Sequence, residues 1–230
     1  MTLKLKSVIL LINDSFIDYR LEYMRKKEGT KEKAILNAAI EVFARDGYFE
    51  AKMHRIADIA GIGTGTVYLY YGNKENILLK IFENVWENLF IMIDQINKRT
   101  DISVIEKFNA MIDVVFDLFT SNPSLALVFV NEQNHLIKKN NKQFTSYFEK
   151  TLSMCETVFK SGEKSNVFNN FISPHIFSYF FFGGLRNLLH QWAENSDLFP
   201  LNKIRQNVKQ LVLNGIIATQ NTSNPVKIQD

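Results

Sequence analysis

The chain has 230 residues, of which 46% are hydrophobic and 22% charged, and its formal net charge is +3. Such a chain can bury a substantial core in one large or two small domains, and no apolar run approaches the roughly 18 residues that span a bilayer. The single cysteine, Cys155, excludes an intramolecular disulfide framework. Because zinc-type Cys and His spacings are also absent, we expect a cytoplasmic protein with no metal, no cofactor and no membrane partner.

Positive charge is concentrated in the first third of the chain. Residues 24–80 contain ten Lys/Arg against seven Asp/Glu, whereas residues 1–23 contain three of each and residues 81–230 fourteen of each. The excess is typical of a protein with a polyanionic partner, although chance scatter in a short segment explains it equally well.

Three helices are predicted before residue 72. Apolar residues recur at three- and four-residue spacing from 31 to 45, which predicts a first helix that Asp46-Gly47 ends. A second helix follows at about 53–60, and Gly61-Ile62-Gly63 forms a tight connection to a third at 64–71. Two short helices joined by a glycine-containing turn are typical of a helix-turn-helix.

The remainder of the chain is predicted to be helical as well. Asn73 is a candidate N-cap for a long fourth helix that reaches about Asn97. Further helices are predicted at about 103–120, 124–134, 141–162, 173–194 and 201–219, each bounded by Asn, Ser, Gly or Pro. Strand-like alternation is scarce, so the sequence predicts an all-α fold of about nine helices.

Three tyrosines crowd the third helix in the stretch GTGTVYLYYGNKENIL, residues 63–78. Tyr71 follows Val67 by one helical turn and is expected to pack inward, while Tyr68 and Tyr70 can direct their hydroxyls outward to phosphate oxygens. Lys74 opens the fourth helix, where a cation is unfavourable for the helix dipole unless an anion lies there. Phosphate binding would explain this lysine, and a lysine exposed to solvent is the alternative.

The stretch AILNAAIEVFARDGYFEAKMHRIADIAGIGTGTVYLYYGNKENIL, residues 34–78, resembles the amino-terminal domain of the tetracycline-repressor (TetR) family. The resemblance depends on three patterns that occur in order: AA..VFA..GY, IA..AG and GT.Y.YY.NKE.IL. It implies that the third helix enters the major groove of double-stranded operator DNA and that the second lies across the DNA backbone. It also implies that the later helices form an effector pocket and a homodimer interface.

Position by position, the resemblance implies three groups of DNA-contacting residues. Thr64, Gly65, Thr66 and Leu69 face the groove; Tyr68, Tyr70 and Lys74 hold phosphates; and Lys52 and His54 begin the second helix against DNA. Phosphate contacts would position the domain, and Thr64, Thr66 and His54 are the expected base readers. Gly63 stands where many members have a capping Ser, and Thr64 stands where many have a Lys or Gln.

The resemblance also divides the chain into four parts. Residues 1–28 are an extension, 29–89 the DNA-binding domain with its helix-turn-helix at about 52–71, 90–220 the effector-binding and dimerisation domain, and 221–230 a tail. Met24 begins MRKKEGTKEK, which resembles a natural family start. Residues 1–23 are therefore a product of a misassigned start codon, an ordered extra segment or a genuine arm.

Aromatic residues in the later part of the chain favour a hydrophobic effector. Sixteen of the nineteen phenylalanines lie after Lys80, and most are expected simply to pack in the core. Residues 131–140 and 180–201 resemble the family's fatty-acid-degradation branch, which implies a fatty acid or acyl-CoA effector. The implied pocket contains Phe116, Phe119, Phe129, Phe177, Phe180, Phe181 and Trp192, with Gln133, Arg186 and His190 as polar partners.

A glycine pair, Gly183-Gly184, interrupts a run that is otherwise helical. Each glycine in a helix is unfavourable by roughly 1 kcal/mol relative to alanine, and close approach of another helix would offset this. In the resembled fold the last two helices pair with their copies about a two-fold axis. We therefore expect an isologous four-helix interface from 173–194 and 201–219, and a palindromic DNA site.

Together these observations predict a dimeric transcriptional repressor that a hydrophobic small molecule releases from operator DNA. A DNA-binding protein of this fold without small-molecule control, acting in chromosome organisation, is an alternative. A helical enzyme is disfavoured because His135, His175 and His190 lack paired-ligand spacing and no phosphate-binding loop follows a strand.

Overall fold

The computed structural model of the chain describes residues 30–120, 122–138 and 142–217. Over these ranges the backbone forms nine α-helices, which confirms the predicted all-α fold. They are α1 Thr30–Glu50, α2 Met53–Ala60, α3 Thr64–Tyr71, α4 Lys74–Lys98, α5 Val104–Thr120, α6 Pro123–Lys138, α7 Lys142–Lys164, α8 Pro174–Glu194 and α9 Leu201–Ile216. The predicted extension 1–28, the tail 221–230 and the predicted last-helix end at residue 219 lie outside the described residues.

The helix boundaries follow from local residues that set the backbone angle or satisfy free amides. α1 is broken at Gly47, whose positive φ of 73° is a conformation that glycine adopts without strain. The Asn76 amide donates to Asn73 Oδ1 at 2.9 Å, which confirms the predicted N-cap of α4. α5 begins with a reciprocal capping box, in which the Ser103 amide donates to Glu106 Oε2 at 2.8 Å and the Glu106 amide donates to Ser103 Oγ at 3.2 Å. The Ser103 hydroxyl also donates to Glu106 Oε2 at 2.8 Å, and the hydrogen bonds that the Ser103 amide and hydroxyl donate lower the pKa of the Glu106 carboxyl.

The chain divides into two compact units, Met1–Ile81 and Phe82–Asp230. In the first unit α1 packs on α2 and α2 packs on α3, around buried aliphatic side chains that include Ile35, Ile56 and Val67. In the second unit α6 and α7 pack on α8, and α5 packs on α9. Its core is rich in fully buried phenylalanines, each of which stabilises the fold by about 1.5–3 kcal/mol relative to exposure. α4 begins in the first unit and ends in the second.

α5 buries most of its apolar residues and also carries two carboxylates that bind α9. Arg205 of α9 contacts Asp113 and Asp117, and Lys209 contacts Asp113 at 2.6 Å.

No single helix in the described ranges is long and apolar enough to cross a membrane. α5 and the first part of α6 reach that level only when they are taken together, across a bend of 106°.

Candidate DNA-binding surface and effector region

The connection between α2 and α3 is built on two glycines. Gly61 ends α2 in the left-handed conformation, with φ 67° and ψ 32°, and its amide donates to the Asp58 carbonyl at 3.2 Å. Gly63 then caps α3 in an extended conformation with its backbone alone, since its carbonyl accepts from the Thr66 amide at 2.8 Å. The tight turn expected between the two helices is therefore formed without a side-chain cap.

The three tyrosines of α3 divide between the core and the surface. Val67 is 0% exposed and Tyr71 9%, and the Tyr71 hydroxyl donates to Glu32 Oε1 at 3.4 Å. On the other side of the helix Tyr68 is 50% exposed, Leu69 84% and Tyr70 47%. The predicted inward packing of Tyr71 is confirmed, as is the exposure of the other two tyrosines. Their contacts with DNA stay a prediction.

The remaining predicted DNA contacts differ in exposure. Lys52, His54 and Gly65 are exposed, whereas Thr64 and Thr66 are half-buried. A Cβ atom placed on Gly65 would have nothing within 4 Å among the described residues, so the bare backbone there does not serve packing within the domain. The predicted contact of Gly65 with DNA stays a prediction.

Lys74 donates hydrogen bonds to backbone carbonyls within the first unit. Its Nζ donates to the carbonyl oxygens of Tyr48, Phe49 and Ala51 at 2.8, 2.6 and 3.2 Å, and lies 4.9 Å from the centre of the Tyr48 ring. These carbonyls belong to the end of α1 and the residue after it, where a positive charge is favourable for the helix dipole. These contacts within the first unit therefore explain why a positive charge lies at the start of α4, and a bound phosphate is not needed to explain it.

Aromatic side chains from four helices form a first cluster, which we name the α4–α7 cluster. Its members are Phe82 and Trp86 of α4, Phe119 of α5, Phe129 of α6, and Phe144 and Phe148 of α7. Only Phe119 and Phe129 were predicted as pocket residues. The one-turn spacing of Phe82 and Trp86 on α4 is the sequence signal that could have added them.

A second aromatic cluster surrounds the start of α8, and we name it the α8 cluster. It consists of Phe108, Phe159, Phe168, Phe177 and Phe181, with ring centres 4.7 to 5.9 Å apart in the contacting pairs. The aromatic residues predicted to line one pocket are thus distributed between two clusters. Phe116 belongs to neither set of ring contacts and instead lies 5.7 Å from the Arg205 guanidinium, while Trp192 is buried on α8.

Phe180 was predicted to line the effector pocket, but its side chain is exposed on the surface of α8. It is 75% exposed, because the buried stripe of α8 runs through Phe181, Leu185 and Leu189, and Phe180 lies outside that stripe. Ile176, one turn earlier, is 69% exposed, and Gly183 and Gly184 continue this face one turn later. A Cβ on either glycine would meet nothing within 4 Å among the described residues. Phe180 therefore belongs to an exposed apolar face rather than to the buried lining of a pocket.

The three predicted polar partners of the effector also have distinct surroundings. Arg186 Nη2 donates to the Val130 carbonyl of α6 at 3.0 Å, and burial lowers the pKa of its guanidinium. His190 pairs with Glu194 at 3.2 Å. Gln133 is 5% exposed, and its Oε1 has no hydrogen-bond partner in the described part of the chain. No group of His, Cys, Asp or Glu among the described residues is arranged to hold a metal ion.

Comparison with known families assigns both units. Residues 35–81 match the family described as bacterial regulatory proteins, tetR family, and residues 85–215 match the YsiA-like protein, C-terminal region. Over 192 residues the chain is 26% identical to the fatty acid metabolism regulator protein of Bacillus subtilis (strain 168). The aligned region covers 83% of this chain and 98% of that relative.

Solved structures agree with this assignment. The fatty acid degradation regulator FadR from Bacillus halodurans has a TM-score of 0.73 at 27% identity, covering 83% of this chain and 98% of that one. FadR from Bacillus subtilis, solved in complex with stearoyl-CoA, has a TM-score of 0.70 at 25% identity, covering 80% of this chain and 98% of that one.

Proposed function

This chain belongs to the tetR family of bacterial regulatory proteins, and we propose that it is a repressor that a long-chain acyl-CoA or fatty acid releases from a palindromic operator. The observation that supports the DNA-binding part most strongly is the outer face of α3. Tyr68, Leu69 and Tyr70 are 47% to 84% exposed on a helix whose other face is buried. These exposed apolar and aromatic side chains do not pack in the core of the first unit, and an exposed apolar patch of this kind is typical of a binding surface.

Each exposed side chain of α3 has chemistry that suits DNA. The tyrosine hydroxyls donate to phosphate oxygens and would position the helix without reading sequence. Leu69 projects an apolar side chain that can contact a thymine methyl group in the major groove. Gly65 lets the backbone approach the duplex, and the half-buried Thr64 and Thr66 contribute hydroxyls at the helix start.

A homodimer is supported by the exposed face of α8. Ile176 and Phe180 would be buried by a second copy of the chain, and Gly183 and Gly184 would let the two helices approach closely. Leu211 of α9, which is 75% exposed, would extend the apolar contact. An isologous interface of these two helices orients two copies of α3 symmetrically, which matches a palindromic operator.

The effector class is supported by the FadR resemblance and by the α4–α7 cluster. Trp86 and Phe82 lie on α4, the helix that begins in the first unit, so a ligand that displaces the rings of this cluster acts directly on α4. A ligand that binds better to one position of α4 favours that position over the other. Release follows if the favoured position has the lower affinity for operator DNA.

The proposal is tested by selecting genomic DNA fragments with the purified chain and measuring their electrophoretic shift. Stearoyl-CoA and stearate are then added, with CoA alone as the control ligand. We expect specific fragments to shift and the shift to be reversed by one of the two acyl ligands. Absence of any specific fragment would refute the repressor, and a shift insensitive to both ligands would favour the alternative without small-molecule control.

Two exposed leucines provide a matched pair of variants for the same assay. Leu69 is 84% exposed on α3, and Leu198 is 72% exposed in the loop before α9. Leu69→Ala is expected to weaken binding to the selected fragment severalfold by removing an apolar base contact, while Leu198→Ala leaves it unchanged. Equal affinities for both variants would contradict the assigned recognition face.

A further inference from the structure

Neither α3 nor the turn before it contains a side chain that is charged or carries an amide group. Residues 61–71 read GIGTGTVYLYY. In the major groove, Arg and Lys read guanine, Asn and Gln read adenine, and Asp and Glu read cytosine. The hydroxyl groups of Thr and Tyr remain, and a hydroxyl bonds to several base edges alike. Hydrogen bonds from α3 therefore discriminate weakly between the four base pairs.

The polar side chains that follow α3 are bound to the backbone of the first unit. Asn73 Oδ1 accepts from the Asn76 amide at 2.9 Å, and Asn76 Nδ2 donates to the Tyr71 carbonyl at 2.7 Å. Lys74 Nζ donates to three carbonyls at and after the end of α1. These residues therefore do not supply the base-reading groups that α3 lacks.

Leu69 is the side chain that α3 exposes most. It is 84% exposed, more than any other large hydrophobic residue in the described part of the chain. Gly65 lies one turn earlier on the same face, so the surface beside Leu69 is bare backbone. Among the major-groove edges of the four base pairs, only thymine has an apolar group, its 5-methyl. An apolar contact from Leu69 therefore selects thymine.

We propose that Leu69 reads a thymine methyl group in each half-site, and that this apolar contact is the main sequence determinant at α3. The assignment rests on the proposed function and narrows the operator to a palindrome that has thymine at the same position of both half-sites. The determinant is then the methyl group itself rather than the A·T pair. A 5-methylcytosine, which carries its methyl group at the same place in the major groove, replaces thymine at this position.

The test uses a duplex of the operator that the chain itself selects from random DNA, with affinities measured by fluorescence anisotropy. Each thymine is replaced by uracil, in both half-sites at once, which removes the methyl group and keeps every hydrogen-bonding group of the base. At one position wild type is expected to bind the uracil duplex about fourfold more weakly per half-site, the effect of exposing one methyl group. Uracil at thymines outside the half-sites is the control and leaves the affinity unchanged.

Leu69→Ala separates the methyl contact from a general loss of binding. The variant lacks the group that contacts the methyl, so it is expected to bind the thymine and uracil duplexes equally, whatever its absolute affinity. Leu198→Ala, at a residue that is 72% exposed in the loop before α9, is the matched control and keeps the wild-type ratio. Because Leu69 lies outside the core, its replacement leaves the packing of the first unit intact.

Cytosine methylation tests whether the methyl group or the base pair is read. Replacing the thymine by cytosine, with guanine opposite, is expected to weaken binding. A 5-methylcytosine at the same position is then expected to restore about fourfold of the affinity per half-site. Equal affinities of the cytosine and 5-methylcytosine duplexes would show that the A·T pair is read by its hydrogen bonds, which overturns the proposal.

The outcomes distinguish this inference from the proposed function. If no specific fragment is selected, the repressor is refuted and the inference falls with it. If a specific operator is bound and uracil at every thymine leaves its affinity unchanged, the proposed function stands and the reading of thymine is overturned. A loss on uracil substitution that persists in Leu69→Ala assigns the methyl contact to another side chain and overturns the role of Leu69. Selected half-sites that share no thymine overturn it as well.

Discussion

Lys74 provides the sharpest prediction, because its internal role and a phosphate contact have opposite consequences. Lys74→Met keeps the aliphatic stem over the Tyr48 ring and removes the donors to the three carbonyls at the end of α1. A hydrogen bond to a charged group contributes about 1.5–3 kcal/mol, and three bonds from one half-exposed ammonium are far from additive. We therefore expect the free energy of unfolding of the first unit to fall by about 2–4 kcal/mol.

The assay combines urea unfolding with the salt dependence of DNA binding. Unfolding is followed by far-ultraviolet circular dichroism, since both tryptophans, Trp86 and Trp192, lie in the second unit. Each phosphate that a lysine neutralises contributes about 0.9 to the slope of log affinity against log salt concentration. Lys74→Met is expected to leave that slope unchanged, whereas the exposed Lys52→Met reduces it. Wild-type stability together with a slope reduced by about 0.9 in Lys74→Met would refute the internal role.

Three further predictions concern the second unit. Gly183→Ala with Gly184→Ala should stabilise the isolated protomer by up to about 1 kcal/mol per site but weaken the dimer, and unchanged dissociation in analytical ultracentrifugation would contradict the interface. The hydrogen bond from His175 lowers the pKa of Glu156, so its stabilisation is present above the ordinary carboxyl pKa of 4.5 and is lost as pH falls through the lowered native value. Glu156→Gln should therefore be less stable than wild type at pH 7, by up to about 1 kcal/mol, and equally stable in strong acid by urea titration. Burial raises the pKa of Cys155 to about 12, so an aromatic disulfide reagent should label it only as fast as the unit unfolds, and immediate labelling of native protein would contradict this burial.

Local sequence patterns predicted the helices and several of their ends correctly. The spacing of apolar residues located all nine helices of the described ranges, and Gly47 and Asn73 marked a break and a cap that depend on neighbouring backbone alone. Helix phase also separated Tyr71 from Tyr68, because burial on a short helix follows directly from the position around its axis.

Contacts between residues far apart in the sequence could not be predicted from the same local patterns. Lys74 meets carbonyls that lie 23 to 26 positions earlier, a partner that no local spacing indicates. Phe180 and Phe181 are adjacent and identical in type, yet only the packing of α8 shows which is buried. The one-turn spacing of Phe82 and Trp86 places both rings on one face of α4, but only the fold shows that α6 and α7 contribute the rings that contact Trp86. The helices were therefore predictable, while the partners of individual side chains required the fold.

The most direct test of a ligand-released repressor is the fluorescence anisotropy of a labelled operator fragment, selected by the chain itself, during titration with stearoyl-CoA. We expect the anisotropy to fall to that of free DNA as stearoyl-CoA saturates the protein, and to stay unchanged with CoA alone. Anisotropy that stays at the bound value throughout, with stearoyl-CoA shown by calorimetry to be bound, would contradict release by the effector.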